Sequence, residues 1–174
     1  TQTEYLSPGE KFFPIFLEEL KKAQKYIFIE YFIIKEGLMW QSILDILKEK
    51  VSQGVEVRVI YDDIGCFLAL PKDYAMQLKN IGIKCEVFNP FRPVLTAIQN
   101  NRDHRKITVI DGKVAFTGGL NLSDEYINTY EKHGYWKDAV IQIKGKAAWS
   151  LTLMFFEMWE LCCVIPDDIE CLFP

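Results

Sequence analysis

Apolar positions recur along the chain with two different periods, which divide it into helices and strands. Three segments carry apolar residues at the spacing of an amphipathic helix, and a fourth helix is expected near residues 71–80. The three segments are residues 12–24, 39–54 and 146–160. Pro14 is compatible only with the first turn of the first helix, and Gly54 is the expected stop of the second.

Short runs of β-branched and aromatic residues lie between these helices and are typical of buried strands. They are residues 26–34, 55–63, 84–88 and 138–144. Because strands alternate with helices, the sequence predicts an α/β fold with a mixed, mostly parallel sheet flanked by helices on both faces. At 174 residues we expect one catalytic domain over 1–160, followed by a linker or C-terminal tail over 161–174. Residues 89–103 are predicted to form a long loop.

Residues 103–121, with the sequence DHRKITVIDGKVAFTGGLN, are predicted to form a β-hairpin. Asp111-Gly112 is a strong signal for a two-residue turn between β-rich runs. Such a turn places Lys106 opposite Thr117 and His104 opposite Gly119. Since side chains alternate between the faces of a strand, all four residues and Asn121 are expected on one face.

This register predicts a hollow at Gly119 that is surrounded by the imidazole of His104, the ammonium of Lys106 and the amide of Asn121. A phosphate group suits those three side chains, because they provide charge, hydrogen-bond donors and a nucleophile. Asp111 has the wrong parity for the group and is expected to fix the hairpin through local backbone hydrogen bonds. On an edge strand, however, His and Lys are equally typical of solvated residues.

Composition narrows the classes of function. The net charge of −4 argues against a general nucleic-acid binder, which would carry a basic face. Five cysteines without C-x-x-C spacing and only two histidines do not favour a zinc site, so we expect reduced thiols. No apolar run reaches the roughly 18 residues that cross a bilayer. The chain starts without Met, and we expect it to be an excised piece of a longer parent.

The spacing H-x-K-x-x-x-x-D, followed by G-G-x-N, resembles the signature of the phospholipase D superfamily. The longer string NRDHRKITVIDGKVAFTGGLNLSDEY is similar to bacterial cardiolipin synthases, and so are YIFIEYFI, GVEVRVIYDDIG and YWKDAVIQIKGKAA, which follow in family order. Asp103 stands where that family usually has Asn, and Cys66 where Ser is common. The resemblance implies the α-β-α sandwich of the superfamily.

The resemblance also implies phosphodiester transfer through a covalent phosphohistidine, in which a second copy of the motif supplies a histidine that protonates the leaving alcohol. In cardiolipin synthases, two phosphatidylglycerol molecules give cardiolipin and glycerol. This chain has one copy, so its implied partner is a second motif domain in the parent chain or a homodimer mate. A homodimeric phosphodiesterase or endonuclease and a catalytically silent half-domain remain as alternatives. The implied location is the cytoplasmic side of the cell membrane for the parent, with this piece soluble or peripheral.

Residue roles follow from the same resemblance. The nucleophile is His104, the charge on the phosphate oxygens is stabilised by Lys106 and Asn121, and Asp138 orients the imidazole. Asp111 completes the catalytic set as the third motif residue. No metal or other cofactor is implied, because Lys106 and Asn121 supply the charge stabilisation.

A second group of residues is expected around the substrate: Gly119, Thr117 and Glu30. Glu30 is alternatively a buried ion pair, because an unpaired carboxylate within an apolar strand is costly. Arg105 is expected to face away from the site, His133 to lie on the surface, and Arg92 to meet an anionic lipid headgroup.

Overall fold

Seven strands form one sheet in the computed structural model, which describes residues 1–91 and 97–163. The strands are β1 (Gln2–Leu6), β2 (Tyr26–Tyr31), β3 (Glu56–Asp62), β4 (Lys84–Phe88), β5 (Lys106–Ile110), β6 (Val114–Gly118) and β7 (Val140–Lys144). The helices are α1 (Gly9–Lys21), α2 (Leu38–Ser52), α3 (Asp63–Cys66), α4 (Tyr74–Asn80) and α5 (Ala147–Cys162). Two short 3₁₀ turns cover Ala97–Asn100 and Asp124–Ile127.

The strand order is β1-β7-β6-β5-β2-β3-β4, and the sheet is mixed. β2, β3 and β4 run parallel to one another, and helices connect them. The other pairings between these seven strands are antiparallel. The α/β class with a mixed sheet is therefore confirmed, but the antiparallel part is larger than predicted. The tight turn after β5 leaves no room for the crossover helix that a parallel pair needs, and the longer connection after β6 contains only a short 3₁₀ turn.

Helices cover both faces of the sheet, as predicted. Helices α1, α2 and α4 pack on one face, which we call the α1 face, through Phe16, Trp40 and other buried residues. Helix α5 packs on the opposite α5 face, where Phe28 stacks on Phe155 with ring centroids 4.9 Å apart. The central strands β2, β3 and β5 therefore send alternate side chains into two separate cores. Among the helices of the described residues, none has the length and apolar character needed to cross a bilayer.

Two helix boundaries bear on the predictions. Helix α1 begins at Gly9, so Pro14 lies in its second turn rather than its first. The proline leaves the carbonyl of Glu10 without its usual partner, which is tolerable because Glu10 is exposed to water. Helix α2 ends at Ser52, and Gly54 has a φ of +84°, which confirms the predicted stop.

The hairpin of β5 and β6 forms, but its predicted register is wrong by one residue. Ile110 pairs with Val114, and Ile107 pairs with Thr117. Asp111 and Gly112 have φ of +52° and +64°, as a two-residue turn requires, yet Lys113 stays outside the strand pairing. The shift turns Thr117 to the α5 face, away from Lys106.

The carboxylate of Asp111 anchors this hairpin to the start of β2. It accepts hydrogen bonds of 2.8–2.9 Å from the backbone N–H groups of Gln24, Lys25 and Tyr26. Asp111 lies at the far end of β5 from Lys106. We therefore assign Asp111 the anchoring role that its parity indicated, in place of a role in the catalytic set.

We predict that Asp111→Ala lowers the free energy of unfolding by about 2–4 kcal/mol, because three partly buried N–H groups lose a charged acceptor. Chemical denaturation of the chain measures the change. Asp45→Ala, on the exposed face of α2, serves as the control and should change stability by no more than about 0.5 kcal/mol. Equal stabilities of the two variants would contradict the anchoring role.

Candidate functional site

The edge of the sheet where β2 and β3 end brings together five of the predicted site residues: His104, Lys106, Gly119, Asn121 and Asp138. Because β5 is antiparallel to β2, its first residue, Lys106, pairs with the last residue of β2, Tyr31. The segments before β5, after β6 and before β7 reach the same edge. The carboxyl ends of parallel strands are a common place for ligand sites in α/β sheets.

His104 and Lys106 lie together at this edge. Nζ of Lys106 is 3.2 Å from Nδ1 of His104 and donates a 2.6 Å hydrogen bond to the carbonyl oxygen of His104. The imidazole is exposed, whereas Lys106 is buried. The predicted convergence of these two side chains is thus present in the structure.

The ring of Phe32 covers both groups. Its centroid is 4.7 Å from the imidazole centroid and 5.4 Å from Nζ of Lys106, which places the ammonium over the aromatic face. The sequence reading missed Phe32, because an aromatic residue after an apolar strand resembles core. Its position directly after β2, at the carboxyl edge, was the available signal.

Lys106 carries its charge in an environment that opposes it. Burial lowers the pKa of Lys106, and the charges of Asp103 and Asp138 partly compensate. Among the described residues, no carboxylate lies within ion-pair distance of its Nζ. The ammonium can therefore bind an anion without first breaking an ion pair.

Asp138 occupies the space in which the sequence reading placed a phosphate. A Cβ added at Gly119 would overlap the carboxylate of Asp138, so the hollow predicted at Gly119 is filled. The Asp138 carboxylate also accepts a 2.7 Å hydrogen bond from the N–H of Ala139. Gly119 is thus required for the close approach of Asp138. Within the described residues, no hydrogen bond joins Asp138 directly to His104.

Asn121 is held from both ends of its amide. Oδ1 accepts a 3.0 Å hydrogen bond from the N–H of Ile33, and Nδ2 donates a 2.8 Å hydrogen bond to the hydroxyl of Tyr126. One N–H of the amide is left by these contacts. Asn121 therefore fixes the segment that follows β2, and its predicted contact with phosphate rests on that single N–H.

Glu30 points to the α5 face of the sheet, behind Lys106. It is fully buried, and Nε of Arg105 lies 2.6 Å from its Oε1. A buried contact with Arg105, as in the alternative, therefore replaces the expected position in the wall of the site. Arg105 faces away from Lys106, as predicted. Burial, followed by the charge of Asp103, raises the pKa of Glu30 to about 9, against the opposing effect of Arg105.

The remaining candidates lie away from this edge or outside the residues that the structure describes. His133 is exposed, as expected. Arg92 falls outside the described residues. Asp62, which the sequence reading did not select, is fully buried at the end of β3 and accepts hydrogen bonds from the N–H groups of Gly65 and Asp103. A carboxylate at the end of an apolar strand was the signal for it.

Comparison with known proteins places this site in a family context. A family model described as "Cardiolipin synthase, PLD-like domain" matches residues 16–157. A cardiolipin synthase of Geobacillus sp. (strain WCH70) is 41% identical over 91% of this chain and 32% of its own length. An uncharacterized protein of Streptococcus mutans serotype c is 53% identical over 92% of this chain and 35% of its own length. The chain thus spans about a third of these curated relatives.

Solved structures share the fold at low sequence identity. Nuc from Salmonella typhimurium, a phospholipase D family member, has a TM-score of 0.67 and 16% identity, covering 91% of this chain and 94% of Nuc. The phosphatidylserine synthase of Haemophilus influenzae has a TM-score of 0.68 and 20% identity, covering 90% of this chain and 36% of that chain. At such identities the similarity shows the fold alone.

We predict that Glu30→Gln reduces the loss of stability as the pH rises from 4.5 to about 9. The pKa of Glu30 in the folded chain, about 9, exceeds its ordinary value of 4.5, so the folded state keeps a proton that the unfolded chain releases. The stabilisation is complete below the ordinary pKa and is lost as the pH rises through about 9. Gln imitates the protonated form at every pH, so the variant loses less stability over this range.

Urea unfolding at pH values across this window measures the difference. Glu56→Gln is the control, because the pKa of Glu56 is lowered by Lys84 and Arg58 although burial acts in the opposite direction. The Glu56 carboxyl therefore titrates below the pH range from 4.5 to about 9. Parallel pH profiles for the wild-type chain and Glu30→Gln would show that Glu30 is ionised throughout.

Proposed function

The chain belongs to the cardiolipin synthase, phospholipase D-like domain family, and on that premise we propose that it supplies one half of an active site for phosphatidyl transfer. The reaction joins two phosphatidylglycerol molecules into cardiolipin and releases glycerol. The observation that carries the proposal is the pair formed by His104 and Lys106, in which an exposed imidazole lies beside an ammonium available to an anion. A phosphodiester needs both a nucleophile and a fixed cation for its oxygens.

The proposed reaction has two steps at phosphorus. In the first, a ring nitrogen of His104 attacks, an N–P bond forms, and the P–O bond to glycerol breaks while the leaving oxygen takes a proton from the histidine of the second motif. In the second, the hydroxyl of another phosphatidylglycerol gives its proton to that histidine and attacks phosphorus. The N–P bond then breaks, and His104 returns to its initial state.

Lys106 binds the non-bridging oxygens in both steps. The phosphate oxygens replace the carbonyl and Nδ1 of His104 as acceptors, which leaves the imidazole free to react. Because the ammonium is buried, its interaction with the charge on phosphorus is stronger than it would be in water. The free N–H of Asn121 donates to the same oxygens, and Asp138 favours the orientation and positive charge of the imidazole that forms during transfer.

The second half of the site comes from a second H-x-K-x-x-x-x-D domain in the same parent chain or from an identical chain across a two-fold axis. The share of each relative that this chain covers, about a third, favours the first arrangement. We expect little turnover from the chain as a monomer. The substrate resides in a bilayer, so we place the parent protein at the cytoplasmic side of the cell membrane.

A homodimeric phosphodiesterase is the second candidate function. The observation in its favour is that this chain, with its single motif, matches nearly the whole of Nuc. The net charge of −4 weighs against a nucleic-acid substrate, because such binding depends on neutralising phosphates. A catalytically silent half-domain is the third reading.

The test is turnover of labelled phosphatidylglycerol vesicles by the full-length protein, measured as cardiolipin and free glycerol. We predict that His104→Ala lowers the rate by about 1,000-fold or more, because the covalent step loses its nucleophile. His133→Ala, at the second histidine of the chain, is the matched control and should keep the rate within about twofold.

Three other outcomes would contradict the proposal. DNA cleavage without cardiolipin formation would favour the phosphodiesterase. No turnover of either substrate would favour the silent domain. Equal rates for the two histidine variants would place the nucleophile elsewhere.

A further inference from the structure

Asp103 lies next to the proposed nucleophile, and the proposed chemistry gives it no role. Its side chain is buried, and its Oδ1 accepts a 3.1 Å hydrogen bond from the backbone N–H of Arg105. The same oxygen lies 3.5 Å from Nε of Arg105. The carboxylate thus spans His104 and closes a short turn over residues 103–105.

Both neighbours of His104 are tied to buried carboxylates of the parallel strands. Oδ2 of Asp62, at the end of β3, accepts a 3.0 Å hydrogen bond from the N–H of Asp103. Oε1 of Glu30, in β2, lies 2.6 Å from Nε of Arg105. The residues on either side of His104 are therefore held by different strands, Asp103 through its backbone N–H and Arg105 through its side chain.

The imidazole itself has few constraints. It is exposed, and the contacts that hold it are the ring of Phe32 and Nζ of Lys106. An exposed side chain on a free loop would sample several directions, and catalysis by such a group loses much of its advantage. The direction of the ring therefore also depends on the backbone of residues 103–105.

We propose that Asp103 is a positioning residue for His104. Its carboxylate closes the turn, and its contact with Arg105 links the turn to Glu30, so that the imidazole leaves the backbone toward Lys106. The inference rests on the proposed function for the role of His104, but the geometry of the turn does not depend on the substrate.

An uncharged hydrogen-bond acceptor in place of the Asp103 carboxylate would suit the electrostatics of the turn equally well. Two carboxylates, of Glu30 and Asp103, share one guanidinium, and neither Oε2 of Glu30 nor Oδ2 of Asp103 has a donor among the described residues. The pKa of Glu30 is raised to about 9 in this arrangement, chiefly by burial and then by the charge of Asp103. Asn at 103 would keep the acceptor for Arg105 and place an N–H near Glu30.

The experiment follows His104 directly by NMR of imidazole signals in the chain carrying His133→Gln, which leaves one histidine. In the chain that carries only His133→Gln, the ring of Phe32 shifts the His104 signals away from their random-coil positions. We expect Asp103→Ala to move these signals toward random coil and Asp103→Asn to leave them in place. Glu56→Ala, which removes the carboxylate partner of the buried Arg58 at the other end of β3, is the matched control and should leave them in place.

Activity of the full-length protein provides the second readout. Asp103→Ala should lower kcat by about 10- to 100-fold with KM changed by no more than about twofold, and Asp103→Asn should restore kcat. Unchanged His104 signals in folded Asp103→Ala would overturn the proposal, as would equal damage by Ala and Asn or equal shifts in the Glu56→Ala control.

A milder variant covers the case in which Asp103→Ala does not fold. Arg105→Met alters a partly exposed residue, cuts the link to Glu30, and should move the His104 signals part of the way. Unchanged signals there would also overturn the proposal. Because NMR needs no substrate, failure of the proposed function, seen as a wild-type protein without turnover, is distinguished from failure of the positioning role.

Discussion

The site depends on a lysine ammonium that remains charged in a largely buried position. Lys106 is stabilised by the carbonyl of His104, by the ring face of Phe32 and by the charges of Asp103 and Asp138 at longer range. None of these neutralises it in an ion pair. An anion that reaches this edge therefore gains an interaction that water screens only weakly. The same contacts bring the imidazole of His104 beside the place where that anion binds.

The mixed sheet explains how the short segment of residues 104–106 provides both a buried ammonium and an exposed imidazole beside it. β5 enters between β2 and β6 at the edge where β2 ends, so His104, which precedes it, lies at the surface while its middle lies between two cores. The α1 face carries Lys106 and the α5 face carries the Glu30–Arg105 pair. His104 lies between these two sets of contacts. Its ring is contacted from one face, and its backbone is held from the other.

The sequence predicted the elements well because periodicity and turn chemistry are local properties. Helix α2, strand β4 and the Asp111-Gly112 turn all formed, and the motif placed His104 beside Lys106. The register failed because one residue, Lys113, is excluded from pairing after the turn, and a shift of one residue reverses every side chain. β1 was missed because four of its five residues are exposed and show no apolar pattern.

The unpredicted parts of the site are contacts between segments distant in sequence. The carboxylate of Asp138 over Gly119 and the contact of Glu30 with Arg105 join residues in or next to different strands, and no spacing rule connects them. An acid in an apolar strand indicates that a partner exists without naming it. The pKa of Lys106, followed by NMR of its side chain with and without inorganic phosphate, tests the central claim most directly. The account predicts a value below the ordinary 10.5 that rises when phosphate binds, whereas a value at or above 10.5 that phosphate does not change would contradict it.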